Sequence, residues 1–141
     1  MESRHIRMFS AVQIVVVGVL LYLVFTRPGP WTPQRYCGTG LILVGAAGVA
    51  TARYQLGKSF SFAPEAHQLV TRGLYSKIRN PIYVFGVILV TGLALIIQKK
   101  YFWLLLLVVM VGQAFRARRE ARVLEAAFGD AYREYRRKTW F

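Results

Sequence analysis

Arg116 and Glu120 are the two charged residues whose spacing could do chemistry. They lie four apart in a stretch with helical periodicity, so both side chains project from one helix face. A guanidinium holds anions and a carboxylate holds cations, so the pair could bind a ligand that carries both charges, or two ligands side by side. A surface ion pair between the two side chains, worth about 0.3–0.5 kcal/mol, explains the same spacing.

A second set of candidates lies in the polar stretch before an apolar run. Taken singly, each has an ordinary explanation: the tyrosines suit a membrane interface, and the Asn-Pro pair suits the start of a helix. What they share is their order along the chain, ahead of Arg116 and Glu120. They are His67, Gln68, Leu69, Val70, Gly73, Tyr75, Asn80, Pro81, Ile82 and Tyr83.

Several familiar kinds of catalytic site are excluded by composition. The chain has two histidines, one cysteine (Cys37) and six acidic residues. These supply no cluster of metal ligands at a usable spacing and no nucleophile, histidine and acid triad. Neither a phosphate-binding loop nor a dinucleotide fingerprint occurs. The sequence therefore argues against a hydrolase or a kinase, and it predicts no metal site.

The order of these motifs resembles the isoprenylcysteine carboxyl methyltransferases, a family of integral membrane enzymes, and more distantly the phospholipid methyltransferases. The likeness covers roughly residues 53–135, and two motifs flank a helical hairpin. The matching residues are Leu69-Val70, Gly73, Tyr75, Arg79, Pro81, Tyr83, Arg116, Glu120, Leu124, Phe128-Gly129, Tyr132 and Tyr135.

The resemblance implies a cofactor and a role for each matched position. The cofactor is S-adenosyl-L-methionine, and Arg116 binds the acceptor; with Glu120, Arg116 forms the implied catalytic pair. A sulfonium, an ammonium and an adenine suit an acid and aromatic faces. The implied cofactor contacts are His67, Gln68, Leu69, Val70, Gly73, Tyr75, Asn80, Pro81, Ile82, Tyr83 and Glu120.

Two positions depart from the family pattern. Asn80 stands where the family usually has histidine, and Ala121 replaces the second glutamate of an acidic pair. Asparagine keeps a hydrogen-bond donor and acceptor but does not titrate near neutral pH. Acid-base use of position 80 is therefore lost, and the missing acid bears on the strength of cofactor binding.

Four apolar runs must position these residues: 8–25, 36–52, 81–97 and 101–115, of which the last is the shortest. Each spans a bilayer core of roughly 30 Å only if its flanking basic and aromatic residues reach the headgroups. We therefore predict a single domain over residues 1–141, an all-α membrane protein with four transmembrane helices. A cytoplasmic loop, 53–80, and a C-terminal helical tail, 116–141, form the cofactor site.

The basic residues sort by side of the membrane. With four spans, the amino terminus, the loop and the tail share one face and carry most of the nineteen lysines and arginines. The positive-inside rule makes this face cytoplasmic, so both termini lie in the cytoplasm of a multi-pass protein. The net charge of +13 then reflects topology and attraction to anionic lipid headgroups, and nucleic-acid binding is not expected. A cleaved signal peptide over the first run is the alternative.

Local patterns predict how the helices meet. Gly45 and Gly48 lie among alanines on the second span and allow close backbone approach to a partner, which is also compatible with a homodimer. The short connection after Ile97 predicts that the third and fourth spans form an antiparallel hairpin. Gly129 is expected to end the helix that continues the fourth span, ahead of a short helix with Tyr132 and Tyr135.

We therefore expect a methyltransferase that modifies the carboxylate or thiolate of a lipophilic substrate entering from the bilayer. A carboxylate is ionised at neutral pH, whereas an ammonium acceptor must first lose a proton, and candidate bases are scarce here. Two alternatives stay open. One is a phospholipid amine N-methyltransferase, and the other is a non-catalytic basic membrane protein that binds lipid or a partner.

Overall fold

A computed structural model describes residue 15 and residues 18–57 and 69–141 of the chain. The described part is all-α, as predicted, and it contains no strand, only an isolated bridge between Ile78 and Trp140. The elements are α1, whose described part is residues 18–26, α2 (Pro33–Leu56), a short 3-10 helix (Gly73–Ser76), α3 (Pro81–Ile97) and α4 (Lys100–Lys138).

Three predicted spans fall on helices with related bounds. The run 36–52 lies inside α2, the run 81–97 coincides with α3, and the run 101–115 is the first part of α4. Of the run 8–25 only residues 15 and 18–25 are described, and they are helical. Helix α2 continues to Leu56, so the first four residues of the segment predicted as a cytoplasmic loop, 53–80, are helical.

The described part of the chain holds one helix that is long and apolar enough to cross a membrane, α4, and a shorter apolar helix, α3. The fourth predicted span, 101–115, is the shortest of the four apolar runs. In the structure the helix runs on beyond Phe115, so its charged half extends the apolar half without a break until Gly129. Four transmembrane helices stay a prediction.

Glycines on α2 and α3 let the two helices pack closely. A Cβ atom at Gly45 would lie 2.7 Å from the backbone nitrogen of Leu89, and one at Gly38 would lie 2.7 Å from the carbonyl oxygen of Gly92. Both distances are too short for a side chain, so only glycine permits this approach. The predicted close packing is confirmed within one chain, and a homodimer would need another surface.

The hairpin of α3 and α4 turns at Gln98, which has a left-handed backbone with φ of 54° and donates its N–H to the carbonyl of Ala94. Helix α3 packs far more extensively against α2 than against α4. The predicted antiparallel neighbours therefore form, but their interface is sparse.

Gly129 interrupts α4, as its sequence predicts. Its backbone has φ of 50° and ψ of −120°, a conformation outside the helical region that favours glycine. Arg133 spans the break with ion pairs of 3.0 Å to both Glu125 and Asp130. The residues after the break form a last helical segment that lies against the loop before α3.

The opposite end of the molecule is held by two arginines, which we call the Arg35 staple. Arg35 is 5% exposed and donates to the carbonyl of Val24, to that of Arg27 at 3.0 Å and to that of Gly29 at 3.1 Å. Arg27 donates to the carbonyl of Ile96 at 3.1 Å. The staple thus satisfies carbonyls that the ends of α1 and α3 leave without helical partners.

Candidate cofactor and acceptor site

Three predicted site residues meet where α3 faces α4. Tyr83, in the first turn of α3, donates its phenol hydrogen to Oε1 of Glu120 on α4. The guanidinium carbon of Arg116 lies 5.8 Å from the centroid of the Tyr83 ring, which is within cation–π range. Tyr83 therefore stands between a carboxylate and a guanidinium, and we call these residues the Arg116–Tyr83–Glu120 group.

The surface ion pair that could explain the spacing of Arg116 and Glu120 does not form. The ion pairs of the described residues are those of Arg133 and Lys138. Glu120 is half-buried and bonded to Tyr83, whereas Arg116 is exposed. Arg116 and Glu120 do not neutralise each other, so each of the two charges is available to a ligand of opposite sign.

A buried tyrosine cluster, Tyr75, Tyr132 and Tyr135, adjoins this group. The three residues are 6%, 3% and 8% exposed. The phenol of Tyr135 donates to the carbonyl of Tyr75 at 2.7 Å, and the rings of Tyr132 and Tyr135 lie 6.2 Å apart between centroids. The break at Gly129 is what directs the last helical segment onto the 3-10 helix, so that the cluster can form.

The cluster stays protonated at neutral pH. Burial raises the pKa of Tyr75 well above its ordinary value, and neighbouring Tyr135 and the negative charge of Glu120 raise it further. Burial also raises the pKa of Tyr135 to about 12 and raises the pKa of Tyr132. These phenols can donate hydrogen bonds but cannot act as general bases near pH 7.

The loop that carries Tyr75 is anchored to α2 by Gln55. Its Oε1 accepts a hydrogen bond from the backbone nitrogen of Leu74 at 2.7 Å. Gly73 has φ of +60°, and a Cβ atom there would collide with the Gln55 side chain. Gly73, a predicted cofactor contact, thus has a structural reason to be glycine that is independent of any ligand.

Asn80 occupies the N-cap position of α3, but its side chain bonds elsewhere. Pro81 is the first residue of α3, as the Asn-Pro pair predicts, but the Asn80 side chain makes no capping bond. Its Nδ2 and its backbone nitrogen each donate to the carbonyl of Phe141 at 3.0 Å. Asn80 therefore ties the start of α3 to the end of the chain.

This bond belongs to a wider pairing that the sequence did not predict, which we call the C-terminal clamp. The backbone nitrogen of Trp140 donates to the carbonyl of Lys77 at 3.0 Å, and that of Arg79 donates to the carbonyl of Trp140 at 3.1 Å. Backbone pairing has no side-chain signature, so no motif could have shown it. The clamp fixes the residues that lead into the candidate site.

The remaining predicted cofactor residues have fewer structural constraints. Pro81 is fully buried, whereas Leu69, Val70 and Ile82 are half-buried along the path from the loop to α3. His67 and Gln68 lie outside the described residues. Cofactor contact by all of them stays a prediction.

Two polar residues near the site were not among the predicted contacts. Arg79 Nε and Gln113 Oε1 are both buried and have no hydrogen-bond partner in the described ranges. The charge of Arg79 acts on Tyr132 and Tyr135, where it counteracts the rise in pKa. The available signal for Gln113 was its polarity inside an apolar run, but the face it occupies depends on how α3 approaches.

A family model described as phospholipid methyltransferase matches residues 33–131. The matched region begins with α2 and ends just past the break at Gly129, so it includes the whole Arg116–Tyr83–Glu120 group. No curated protein and no solved structure matches the chain.

Proposed function

The chain belongs to the phospholipid methyltransferase family, and from this premise we propose that it transfers a methyl group from S-adenosyl-L-methionine to a lipophilic acceptor at the membrane surface. The family supports a membrane methyltransferase. The identity of the donor, the class of acceptor and the residues that bind them are the further content of the proposal.

The residues present suit this cofactor. The Glu120 carboxylate, which Arg116 does not neutralise, is available to a positively charged group of the cofactor. Tyr83, which is half-buried, offers an aromatic face beside this charge, and the buried Tyr75 lies behind it. His67, Gln68, Leu69, Val70 and Asn80 to Tyr83 would supply the remaining contacts.

When bound, the cofactor would supply a sulfonium-bound methyl group: an acceptor oxygen would attack the methyl carbon, so that the O–CH3 bond forms as the S–CH3 bond breaks and S-adenosylhomocysteine leaves. The chain contributes alignment, exclusion of water and placement of charge. Glu120 orients a cation, Tyr83 fixes the direction of the Glu120 carboxylate, and Arg116 holds the acceptor.

One observation carries the proposal: the Arg116–Tyr83–Glu120 group presents an exposed cation and a half-buried anion side by side, with no ion pair between them. A guanidinium at this place attracts an anionic acceptor and repels an ammonium. The protonated tyrosine cluster supplies no base. Both features favour a carboxylate acceptor, as in the isoprenylcysteine carboxyl methyltransferases that the motifs resemble.

A second candidate is methylation of a phospholipid amine, which the printed description of the matching family favours. An ammonium must lose a proton before it attacks the methyl group, so this reaction needs a base. The two candidates give chemically different products. A methyl ester releases methanol in base, whereas a methyl group on nitrogen does not.

The membrane arrangement is part of the proposal. We place four helices across the bilayer, with both termini, the loop and the basic tail on the cytoplasmic side against anionic headgroups. The exposed apolar residues of α4, such as Leu104 and Val108, support membrane contact. The sparse α3–α4 interface gives a lipophilic acceptor a path from the bilayer toward Arg116.

The test uses protein purified in detergent with cofactor labelled in its methyl group. One reaction contains an N-acetylated S-prenylcysteine and the other contains phosphatidylethanolamine. We expect base-labile label in the first product, and base-stable label in the second would favour the second candidate. If the folded wild-type protein binds S-adenosylhomocysteine neither in detergent nor after reconstitution into lipid, the non-catalytic alternative is supported.

A further inference from the structure

Gln113 places an uncharged polar group inside the apolar half of α4. Its Oε1 is buried and accepts no hydrogen bond from the residues that the structure describes. A buried acceptor without a donor costs about 1–3 kcal/mol. A leucine at this position would avoid the cost, so the amide calls for an explanation.

The position of Gln113 relates it to the acceptor site. It precedes Arg116 by three residues and Glu120 by seven, so the three side chains project from nearly the same face of α4. With a rise of about 1.5 Å per residue, Gln113 lies about 4.5 Å from Arg116 along the helix axis, on the apolar side. A molecule held by Arg116 would pass Gln113 on its way into the bilayer.

Helix α3 presents a glycine to this amide. A Cβ atom at Gly86 would lie 3.4 Å from Nε2 and 4.0 Å from Oε1 of Gln113. Both are ordinary van der Waals distances, so a methyl group would fit beside the amide, and Gly86 is not required to relieve a clash. This space lies at the sparse interface of α3 and α4.

An interhelical hydrogen bond is the usual reason for a polar residue in a membrane helix. That reason fails for Gln113 Oε1 in the described part of the chain, since the facing residue, Gly86, has no side chain and the oxygen has no donor. A molecule that enters between the helices could supply the donor that the described residues do not.

We infer that Gln113 determines acceptor specificity: its Oε1 accepts a hydrogen bond from an N–H or O–H group of the acceptor, one helical turn deeper than the anionic end that Arg116 holds. This inference rests on the proposed function and adds a requirement to it. A good acceptor carries a hydroxyl or an amide N–H within a few bonds of its carboxylate, on the side of the hydrocarbon chain.

The test compares three acceptors that share an S-prenyl thioether and a carboxylate. The first is an N-acetylated S-prenylcysteine with an amide N–H, the second has a hydroxyl in place of the amide, and the third is an S-prenyl mercaptopropionate with neither group. We expect wild type to prefer the first or the second over the third by about tenfold in kcat/KM, which corresponds to about 1.4 kcal/mol. Which of the two is preferred identifies the donor as N–H or O–H.

Gln113→Leu should abolish this preference by lowering kcat/KM for the donor-bearing acceptors alone. Its affinity for S-adenosylhomocysteine should match wild type, and its melting temperature should be equal or higher, because a buried unsatisfied group is removed. A purely structural amide predicts the reverse, a lower melting temperature with all acceptors affected alike. That result, or a retained preference, would overturn the inference.

Gly86→Ala provides a second variant that does not alter the amide. The added methyl group fits beside Gln113 and suits a helix, yet it takes up the room that the acceptor would use. We expect a raised KM for the donor-bearing acceptors without loss of stability. Gly112→Ala is the matched control, since a methyl group there meets nothing within 4 Å. Equal kinetics for the two alanine variants would contradict the inference.

The outcomes separate this inference from the proposed function. Equal methylation of all three acceptors by wild type overturns the role of Gln113 and leaves the methyltransferase intact. Cofactor binding without methylation of any of them overturns the inference and the carboxylate assignment. Absence of both cofactor binding and methylation overturns the proposed function, and the inference with it.

Discussion

The arginines at the two ends of the helix bundle differ in their exposure and hydrogen bonding. At one end, the Arg35 staple commits its guanidinium groups to backbone carbonyls, and Arg35 also stacks on the Trp31 ring, 4.4 Å from its centroid. At the other end, Arg116 is exposed beside Tyr83, and the buried Nε of Arg79 has no partner among the described residues. A buried Nε without a partner among the described residues occurs at both ends, on Arg35 and on Arg79. The difference is that the terminal nitrogens of Arg35 are bonded to backbone carbonyls, whereas the guanidinium of Arg116 is exposed and forms no described ion pair.

The hydrogen bonding of these arginines distinguishes a structural role from a ligand-binding role more clearly than their charge does. Both ends are basic, so composition does not distinguish them. The terminal nitrogens of Arg35 donate to backbone carbonyls, so they are not available to a ligand. The candidate site accordingly lies at the end where an exposed guanidinium stands near a half-buried carboxylate without an ion pair between them.

The largest expected effect is on stability, from Arg35→Leu. The substitution leaves three carbonyl oxygens without their donor in a buried place, so the free energy of unfolding should fall by about 3 kcal/mol. Thermal melting in detergent measures the change. Arg27→Leu, which loses one bond, should cost about 1 kcal/mol. Unchanged melting of Arg35→Leu would remove the contrast between the two ends.

Arg116→Ala should have the opposite pattern. The stability should stay near that of wild type, because the guanidinium is exposed and forms no described ion pair. The kcat/KM for the acceptor should fall tenfold to a hundredfold, which corresponds to about 1.4–2.8 kcal/mol. Arg118→Ala is the control, since it projects from about the opposite side of α4. Equal losses in the two variants, or a parallel loss of S-adenosylhomocysteine affinity, would contradict a dedicated acceptor residue.

Tyr83→Phe should reduce cofactor affinity by about fivefold, close to 1 kcal/mol, because the Glu120 carboxylate loses the donor that orients it. The KM for the acceptor should change little. Calorimetric titration with S-adenosylhomocysteine provides the measurement, and Tyr101→Phe, exposed at the far turn, provides the control. An affinity that stays at the wild-type value would show that Glu120 needs no orientation.

The smallest expected effect concerns alkaline pH. The pKa of Tyr135 is about 12 in the folded protein against an ordinary 10.0, and the pKa values of Tyr75 and Tyr132 are raised too. The unfolded chain loses these protons first, so stability is full below pH 10 and declines as pH rises toward 12. Tyr75→Phe should lessen the decline of the melting temperature over this interval, whereas Tyr54→Phe, at an exposed position, should not.

The helices and their breaks followed from local sequence. Pro81 fixes the first residue of α3, Gly129 supplies the conformation that ends the long helix, and Gly45 permits the close approach of α3. Each of these effects depends on the conformational or steric limits of a single residue type. Such limits can be read without knowledge of the partner.

Long-range pairing did not follow from the sequence. An arginine in a proline-rich connection resembles an interfacial cation, and only the arrangement of α1 and α2 shows that Arg35 is buried. The C-terminal clamp uses backbone groups, which every residue has. The family resemblance implied only that Tyr83 and Glu120 contact the same cofactor. Their direct hydrogen bond, and the absence of an ion pair between Arg116 and Glu120, required the structure.

Calorimetric titration of S-adenosylhomocysteine into the purified wild-type protein, Glu120→Gln and Glu134→Gln tests the central claim most directly. Glu134 is exposed and pairs with Lys138, so it serves as the matched control. The account predicts binding by wild type and Glu134→Gln in the micromolar range, and affinity at least tenfold weaker in Glu120→Gln. Equal binding by all three proteins, or no binding by folded wild type, would contradict a cofactor site at the Arg116–Tyr83–Glu120 group.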